Sequence, residues 1–238
     1  LTIRFEEGEL SPLDAAAGFG RTDTMRLLVE HGTDVNAAGA GGRTSLYWCV
    51  YAGKAKAVDL LAEAGANLEA RTSGGDFVGL APLHLAIFWR KFDAAVALLK
   101  HGADVNVKSV DEGGTPLHYA AAGAGMQGMA RVVDLLLRMG ADETIVTNQG
   151  RTPMDIVAPT GAVAYHGQQQ GSYAYNLERV RLLLANAPAD RAWRRRGFLV
   201  MCRAHADRMQ PQRLSGQPRG GTAWGGCSCT RKATADGG

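Results

Sequence analysis

One phrase, Gly-Ala-Asp-Val-Asn in its fullest form, is written four times in this chain, at Gly32–Asn36, Gly65–Glu69, Gly102–Asn106 and Gly140–Thr144. A variant of Thr-Pro-Leu-His precedes it each time, by 21 residues in the first three cases and by 25 in the fourth. Self-similarity at a period of about 33 residues excludes a single closed globule, because each unit can bury its apolar face only against its neighbours. Function in such a chain belongs to a surface rather than to a deep cleft.

The repeat starts fall at Ser11, Thr44, Ala81, Thr115 and Thr152, spaced by 33, 37, 34 and 37 residues. The second unit carries its extra residues after Gly65, within Ser73–Leu80, and the fourth carries four between its helices, around Gly123–Gln127. A hydroxyl followed by Pro, at Ser11-Pro12, Thr115-Pro116 and Thr152-Pro153, marks a helix start: the oxygen caps free backbone donors and Pro tolerates the first turn. Thr44-Ser45 and Ala81-Pro82 keep half of that signal. Apolar residues then recur at helical spacing (Leu83, Ala86, Ile87), and a second helix ends in Leu27-Leu28, Leu60-Leu61, Leu98-Leu99, Leu135-Leu136-Leu137 or Leu182-Leu183-Leu184. Gly32, Gly65, Gly102 and Gly140 stand where a helix needs a left-handed stop. Each unit therefore reads as a short helix, a turn, a longer helix and an extended hairpin.

These features resemble the ankyrin repeat family, over roughly Ser11 to Leu184. The residues that carry the resemblance are Ser-Pro-Leu-Asp at 11–14, Thr-Ser-Leu-Tyr at 44–47, Ala-Pro-Leu-His at 81–84, Thr-Pro-Leu-His at 115–118 and Thr-Pro-Met-Asp at 152–155. The fold expected is an all-α solenoid of about five stacked repeats joined by hairpin loops. Its parts are an N-terminal flank over 1–10, an array over 11–190, a C-terminal capping helix over 191–206 and a disordered basic tail over 207–238. The fifth unit departs most: an insertion at Pro159–Asn176 separates its helices, and Ala187-Pro188 replaces the Gly that would open a hairpin. Its second helix is expected over Leu177–Leu184.

Bulk composition adds limits. The 238 residues are 46% hydrophobic and 7% aromatic, an ordinary globular balance for a stack of Ala- and Leu-rich helices. No apolar run approaches the ~20 residues of a membrane helix, and Leu1–Leu10 lacks the order of a signal peptide. A first residue of Leu1 instead of Met fits a piece of a longer protein. Four cysteines, at 49, 202, 227 and 229, are too unevenly placed for a disulfide framework, which suits a reducing intracellular compartment, cytoplasmic or nuclear. From Asp190 onward ten basic residues face three acidic ones, whereas the part before it has 16 basic and 20 acidic residues. The array is mildly acidic and the tail basic.

Ankyrin proteins bind partners through the ends of the first helices and the hairpin tips, so the resemblance places candidate contacts there. The first-helix ends supply Phe19, Tyr51, Phe88 and Trp89, and the hairpins Arg43, Arg71, Phe77, Lys108, Asp111, Glu112 and Arg151. A chain poor in aromatics that places Phe19, Tyr51, Phe77, Phe88 and Trp89 on one face has the makings of a contact patch. The competing reading folds some of them back onto the stack, with Phe77 and Val78 covering the longer hairpin or Trp89 shielding the second helix. On the patch reading, Trp89→Ala weakens a partner and leaves the thermal midpoint nearly unchanged.

Other candidates have simpler explanations. His84 and His118 occupy the fourth place of the phrase, where the family's His hydrogen-bonds near the repeat junction. Trp48, Leu85 and Tyr119 share the next place and read as packing residues. Asn36 and Asn106 match the hairpin Asn that in some ankyrin proteins is hydroxylated, yet the turn alone accounts for them. Cys202, His205, Cys227 and Cys229 are four possible zinc ligands, but Cys227-x-Cys229 is too tight for the usual two-residue knuckle. The segment Arg191–Met201 is either a terminal cap with a polar outer side or a basic amphipathic helix for a calmodulin-like groove, an anionic membrane or nucleic acid.

No phosphate-binding Gly-rich loop, Gly-x-Ser-x-Gly or His-Glu-x-x-His is present, so neither an enzyme nor a cofactor site is expected. The expected function is a non-enzymatic, monomeric module that binds a protein partner, without nucleic acid or membrane insertion. The alternative keeps the array as the substrate-recruiting part of a larger regulatory enzyme, a ubiquitin-ligase adaptor or a kinase.

Overall fold

The computed structural model describes residues 3–5, 8–157 and 173–188. The chain divides into two units, Leu1–Val200 and Met201–Gly238, and the second lies wholly outside the described residues. So do the expected capping helix and tail, the Arg191–Met201 segment, the Cys202, His205, Cys227 and Cys229 set, and most of the insertion in the fifth repeat.

The first unit is a stack of helix pairs. The first helices are α1 (Pro12–Phe19), α3 (Ser45–Tyr51), α5 (Pro82–Phe88), α7 (Pro116–Ala122) and α9 (Pro153–Ile156); the second helices are α2 (Thr22–Glu30), α4 (Ala55–Glu63), α6 (Phe92–Lys100) and α8 (Met129–Arg138). Residues 173–188 are also helical, so the fifth repeat's second helix includes at least the four residues before Leu177 and outruns Leu184. Two short strands, β1 (Ile3–Phe5) and β2 (Gly8–Leu10), pair antiparallel in a flank for which the sequence reading proposes no structure.

First helices begin on side-chain caps, reciprocal at α1 and α9. The Ser11 hydroxyl accepts from the Asp14 N–H at 3.1 Å and the Asp14 carboxylate accepts from the Ser11 N–H at 3.0 Å. Thr152 and Asp155 repeat the exchange, and at Thr115 the Nδ1 of His118 is the acceptor, 3.0 Å from the Thr115 N–H. Each satisfies donors that the first helical turn leaves free. Ala81, with no hydroxyl to offer, keeps only its N–H donation to His84 Nδ1.

The repeated phrase then links units. Asp34, Asn67, Asp104 and Asp142 each accept from the N–H two residues on, at 2.8 or 2.9 Å, which turns the chain. The residue so turned reaches the next repeat: Asn36 accepts from the Asn67 N–H and donates to the Gly65 carbonyl, and Asn106 does the same with Asp142 and Gly140. Beyond the phrase the chain is less extended than expected. Backbone bonds such as Gly39 N–H to Arg43, Ser109 to Gly114 and Thr147 to Arg151 close tight loops, and a bridge joins Ala38 to Thr44.

First helices pack in succession, α1 on α3, α3 on α5, α5 on α7 and α7 on α9, while α4 lies between α2 and α6. One continuous apolar core results, running from Leu13 through Leu46, Leu83 and Leu117 to Val180, Leu184 and Ala187. Each fully buried Leu in it contributes about 1.5–3 kcal/mol. The residues between α7 and α8 receive the last helix: the Tyr173 ring sits against Gly125 where any side chain would collide, and Asn176 Nδ2 donates to the Gly125 carbonyl.

Candidate functional site

Helix α3 carries Tyr47, Trp48 and Tyr51 within its last five residues. Four-residue spacing places Tyr47 and Tyr51 on one face, with rings parallel and 6.4 Å apart, and Trp48 stands edge-on to Tyr47 at 5.2 Å. Trp89, at the end of α5 in the next repeat, meets Tyr47 edge-on at 5.5 Å and Tyr51 at 5.0 Å. Phe77 comes from the lengthened loop and lies 5.2 Å from Trp89 and 5.1 Å from Phe88. The Arg43 guanidinium caps the group, 5.4 Å from the Tyr47 ring centre and 5.8 Å from that of Trp48. Six aromatic rings thus bridge the second and third repeats, and each well-oriented pair contributes roughly 0.5–1.5 kcal/mol beyond the area it buries.

Exposure divides this cluster into a base and a top. Tyr47 is buried; Trp48, Phe77 and Trp89 are half-buried and pack on the core. Tyr51 and Phe88 remain 51% and 53% exposed. Phe19, 62% exposed, ends α1 as Tyr51 ends α3 and Phe88 ends α5. Trp89 is therefore a strut more than a free contact, which argues against a thermal midpoint left nearly unchanged by Trp89→Ala. A large ring that touches Tyr47, Tyr51 and Phe77 cannot be removed without loosening all three.

The loop holding Phe77 is tied at several points. The Thr72 hydroxyl donates to the Phe77 carbonyl, the Gly79 N–H donates to the Thr72 carbonyl at 2.8 Å, and Arg71 Nη1 reaches the carbonyls of Gly79 at 2.9 Å and Lys108 at 2.6 Å. Arg71 thus clamps its own loop to the following one. Lys108, Asp111, Glu112 and Arg151 keep exposed side chains on later hairpins, outside the ring cluster, while their backbones tie neighbouring loops together.

The two phrase histidines are junction pins. His84 accepts at Nδ1 from Ala81 and donates from Nε2 to the Gly114 carbonyl at 3.0 Å; His118 accepts from Thr115 and donates to the Arg151 carbonyl at 3.1 Å. Burial holds the His84 imidazole down at about 4 and also lowers His118, so both are neutral near pH 7 with both nitrogens engaged. Neither has a free lone pair to offer a metal or a substrate. Burial, with the Asp14 carboxylate adding to it, pushes the Cys49 thiol up and keeps it protonated, hence a poor nucleophile.

Tyr47 and Trp48 are the members of the cluster that the sequence reading does not assign to a contact surface. The signal for Tyr47 lies in the repeat register, since it fills the place that His84 and His118 occupy in later units. There its ring meets Trp89 of the next repeat edge-on. Among the described residues no helix is long and apolar enough to cross a membrane.

Family models agree with this architecture. Residues 4–72 match a model of three ankyrin repeats, 83–125 one of many ankyrin repeats, and 112–148 a single ankyrin repeat. Among curated proteins, the chain is 34% identical over 188 residues to human Ankyrin repeat and SOCS box protein 16, a match covering 79% of this chain and 38% of that protein. It is 31% identical over 170 residues to the E3 ubiquitin-protein ligase XBAT32 of Arabidopsis thaliana, covering 62% of this chain and 33% of the relative. With mouse Protein phosphatase 1 regulatory subunit 27 it shares 30% identity over 102 residues, 42% of this chain and 63% of the relative. The chain spans less than two thirds of each of these relatives.

Proposed function

Since this chain belongs to the ankyrin repeat family, a family of protein-interaction repeats, we propose that it is a non-enzymatic module whose contact surface is the aromatic face shared by its second and third repeats. The observation that carries this reading is the pair Tyr51 and Phe88, both exposed, standing on rings that are themselves anchored in the core. Pre-ordered aromatic side chains lose little conformational entropy when a partner covers them. Phe19 extends the surface toward the first repeat, and Arg43, half-buried over Tyr47 and Trp48, edges it. The hairpin side chains of Lys108, Asp111, Glu112 and Arg151 form its polar continuation, and the array acts as a monomer inside the cell.

A second reading keeps the same surface and makes the array the recruiting part of a larger regulatory protein. It is favoured by similarity to a ubiquitin ligase and a phosphatase regulatory subunit, of which this chain spans only a part. Affinity capture with the full chain beside a Tyr51→Ala/Phe88→Ala variant tests both. Proteins held by the first and lost from the second, at a temperature where both remain folded, are the expected outcome; an identical set from both defeats the aromatic face.

A further inference from the structure

We propose that the partner segment held on this surface is an acidic stretch of polypeptide carrying aromatic or large aliphatic residues. The inference rests on the aromatic-face reading and adds its chemistry. A row of cations runs beside the exposed rings. Arg21 follows Phe19 by two residues, Lys54 follows Tyr51 by three, and Arg90 and Lys91 follow Phe88. The row is built into the stack: the Lys54 side-chain stem lies across Gly20 of the preceding repeat and that of Lys91 across Gly53, where an added Cβ would come within 2.9 and 3.0 Å of the stems. Arg90 reaches the other way and donates to the Gln127 carbonyl at 2.9 Å. Among the described residues, no carboxylate pairs with Arg21, Lys54, Arg90 or Lys91.

Local stability does not account for these cations. Arg21, Lys54 and Lys91 are the N-cap residues of α2, α4 and α6, and none caps its helix with a side-chain hydrogen bond. That is the place where Ser, Asp or Asn stabilises and where the positive end of the helix dipole opposes a cation. Arg90 occupies the position that the earlier repeats fill with Gly20 and Gly53, and it takes their left-handed conformation, at φ 58° against 66° and 69°. Such a φ is unfavourable for a side-chain-bearing residue, and strain of this kind gathers at binding sites. Four positions thus forgo the locally stabilising residue and agree in sign.

A line of positive charge next to a line of rings is complementary to a chain that alternates carboxylates with apolar groups. The protein's own segment from Asp190 onward is a poor occupant, since it holds ten basic residues against three acidic ones. Nucleic acid is disfavoured by the 20 acidic and 16 basic residues of the preceding part, which oppose a polyanion beyond the row itself.

The test is selection of random dodecapeptides displayed on phage against the full chain, followed by fluorescence polarisation of the selected peptides at low and high salt. Enriched peptides are expected to be net acidic with aromatic or aliphatic residues, and to weaken with salt. They should bind at least about tenfold more weakly to Lys54→Met/Lys91→Met, a variant that keeps the stems on Gly20 and Gly53 while removing the charge. Selected peptides that lose affinity for Tyr51→Ala/Phe88→Ala but not for the methionine variant would overturn the acidic chemistry and leave the aromatic face standing. Peptides indifferent to both variants, or no enrichment, would remove both readings. Preferential binding of a single-stranded oligonucleotide or concentration-dependent dimerisation of the chain would each overturn the proposal in favour of that other occupant.

Discussion

His84 in the third repeat donates its Nε2 proton to the Gly114 carbonyl of the next hairpin at 3.0 Å, while its Nδ1 accepts from the start of its own helix. One fully buried ring therefore joins two repeats in a single tautomer, which protonation of Nδ1 would break.

Because the folded His84 value, about 4, lies below the ordinary 6.5, the unfolded chain takes up the proton first as pH falls. The stability contributed by the neutral ring is complete above pH 6.5 and is lost on descent toward pH 4. It amounts to about 3 kcal/mol for a shift of this size. His118 adds in the same direction. Urea unfolding between pH 7 and pH 4.5 should show this loss, and His84→Gln should flatten it; a wild-type midpoint that does not move over that range contradicts the junction role.

Glu69 stands where Asn36 and Asn106 stand in the flanking repeats, yet it makes only half of their bridge. Its Oε1 accepts from the Asp104 N–H at 2.8 Å, while the buried Oε2 has no hydrogen-bond partner. At the other two junctions the amide nitrogen donates to a glycine carbonyl, Gly65 or Gly140, and a carboxylate has no proton to give the equivalent Gly102. Burial raises the Glu69 carboxyl and Asp104 adds to this, against the lowering by its backbone bond and by Arg71. Ionised Glu69 therefore subtracts stability at neutral pH, a penalty that disappears as pH falls through the folded value. Glu69→Gln supplies the missing donor and should raise stability at pH 7 by about 1 kcal/mol, read from the urea midpoint.

Trp89 and Phe88 should separate stability from recognition. Trp89→Ala removes a half-buried ring shared by Tyr47, Tyr51 and Phe77 and should cost about 3 kcal/mol. Phe88→Ala, at an exposed position, should shift stability by no more than about 1 kcal/mol while reducing partner capture. Thermal melts of the two variants side by side decide this, and equal losses would place Phe88 in the core.

Arg90→Gly should stabilise the array by roughly 0.5–1 kcal/mol, since glycine adopts the left-handed backbone without strain. The lost bond to Gln127 offsets part of that gain. A melting temperature below wild type would show the contact to outweigh the strain.

Most of the frame is legible without coordinates, for reasons tied to particular residues. Ser11, Thr115 and Thr152 mark helix starts because a hydroxyl before Pro fits little else, and the left-handed Gly32, Gly65, Gly102 and Gly140 mark where second helices give way to loops. The departures share a cause. The helical residues before Leu177 go with a fit of the Tyr173 ring against Gly125, about fifty residues away in the chain, that no local pattern records. The strands β1 and β2 rest on a pairing too short for alternation to reveal.

What the amino-acid order determined by itself is the repeat: its period, its register and the junction histidines. Short-range chemistry is written residue by residue, through caps, left-handed turns and helical spacing. Only the tertiary structure decided which aromatics support and which remain open, setting Trp89 beneath Tyr51 and Phe77 beneath Phe88 and bringing Arg43 to the same cluster. The reason is physical: exposure depends on which neighbour a ring meets across a repeat junction, and stacking brings together residues that lie nearly forty positions apart.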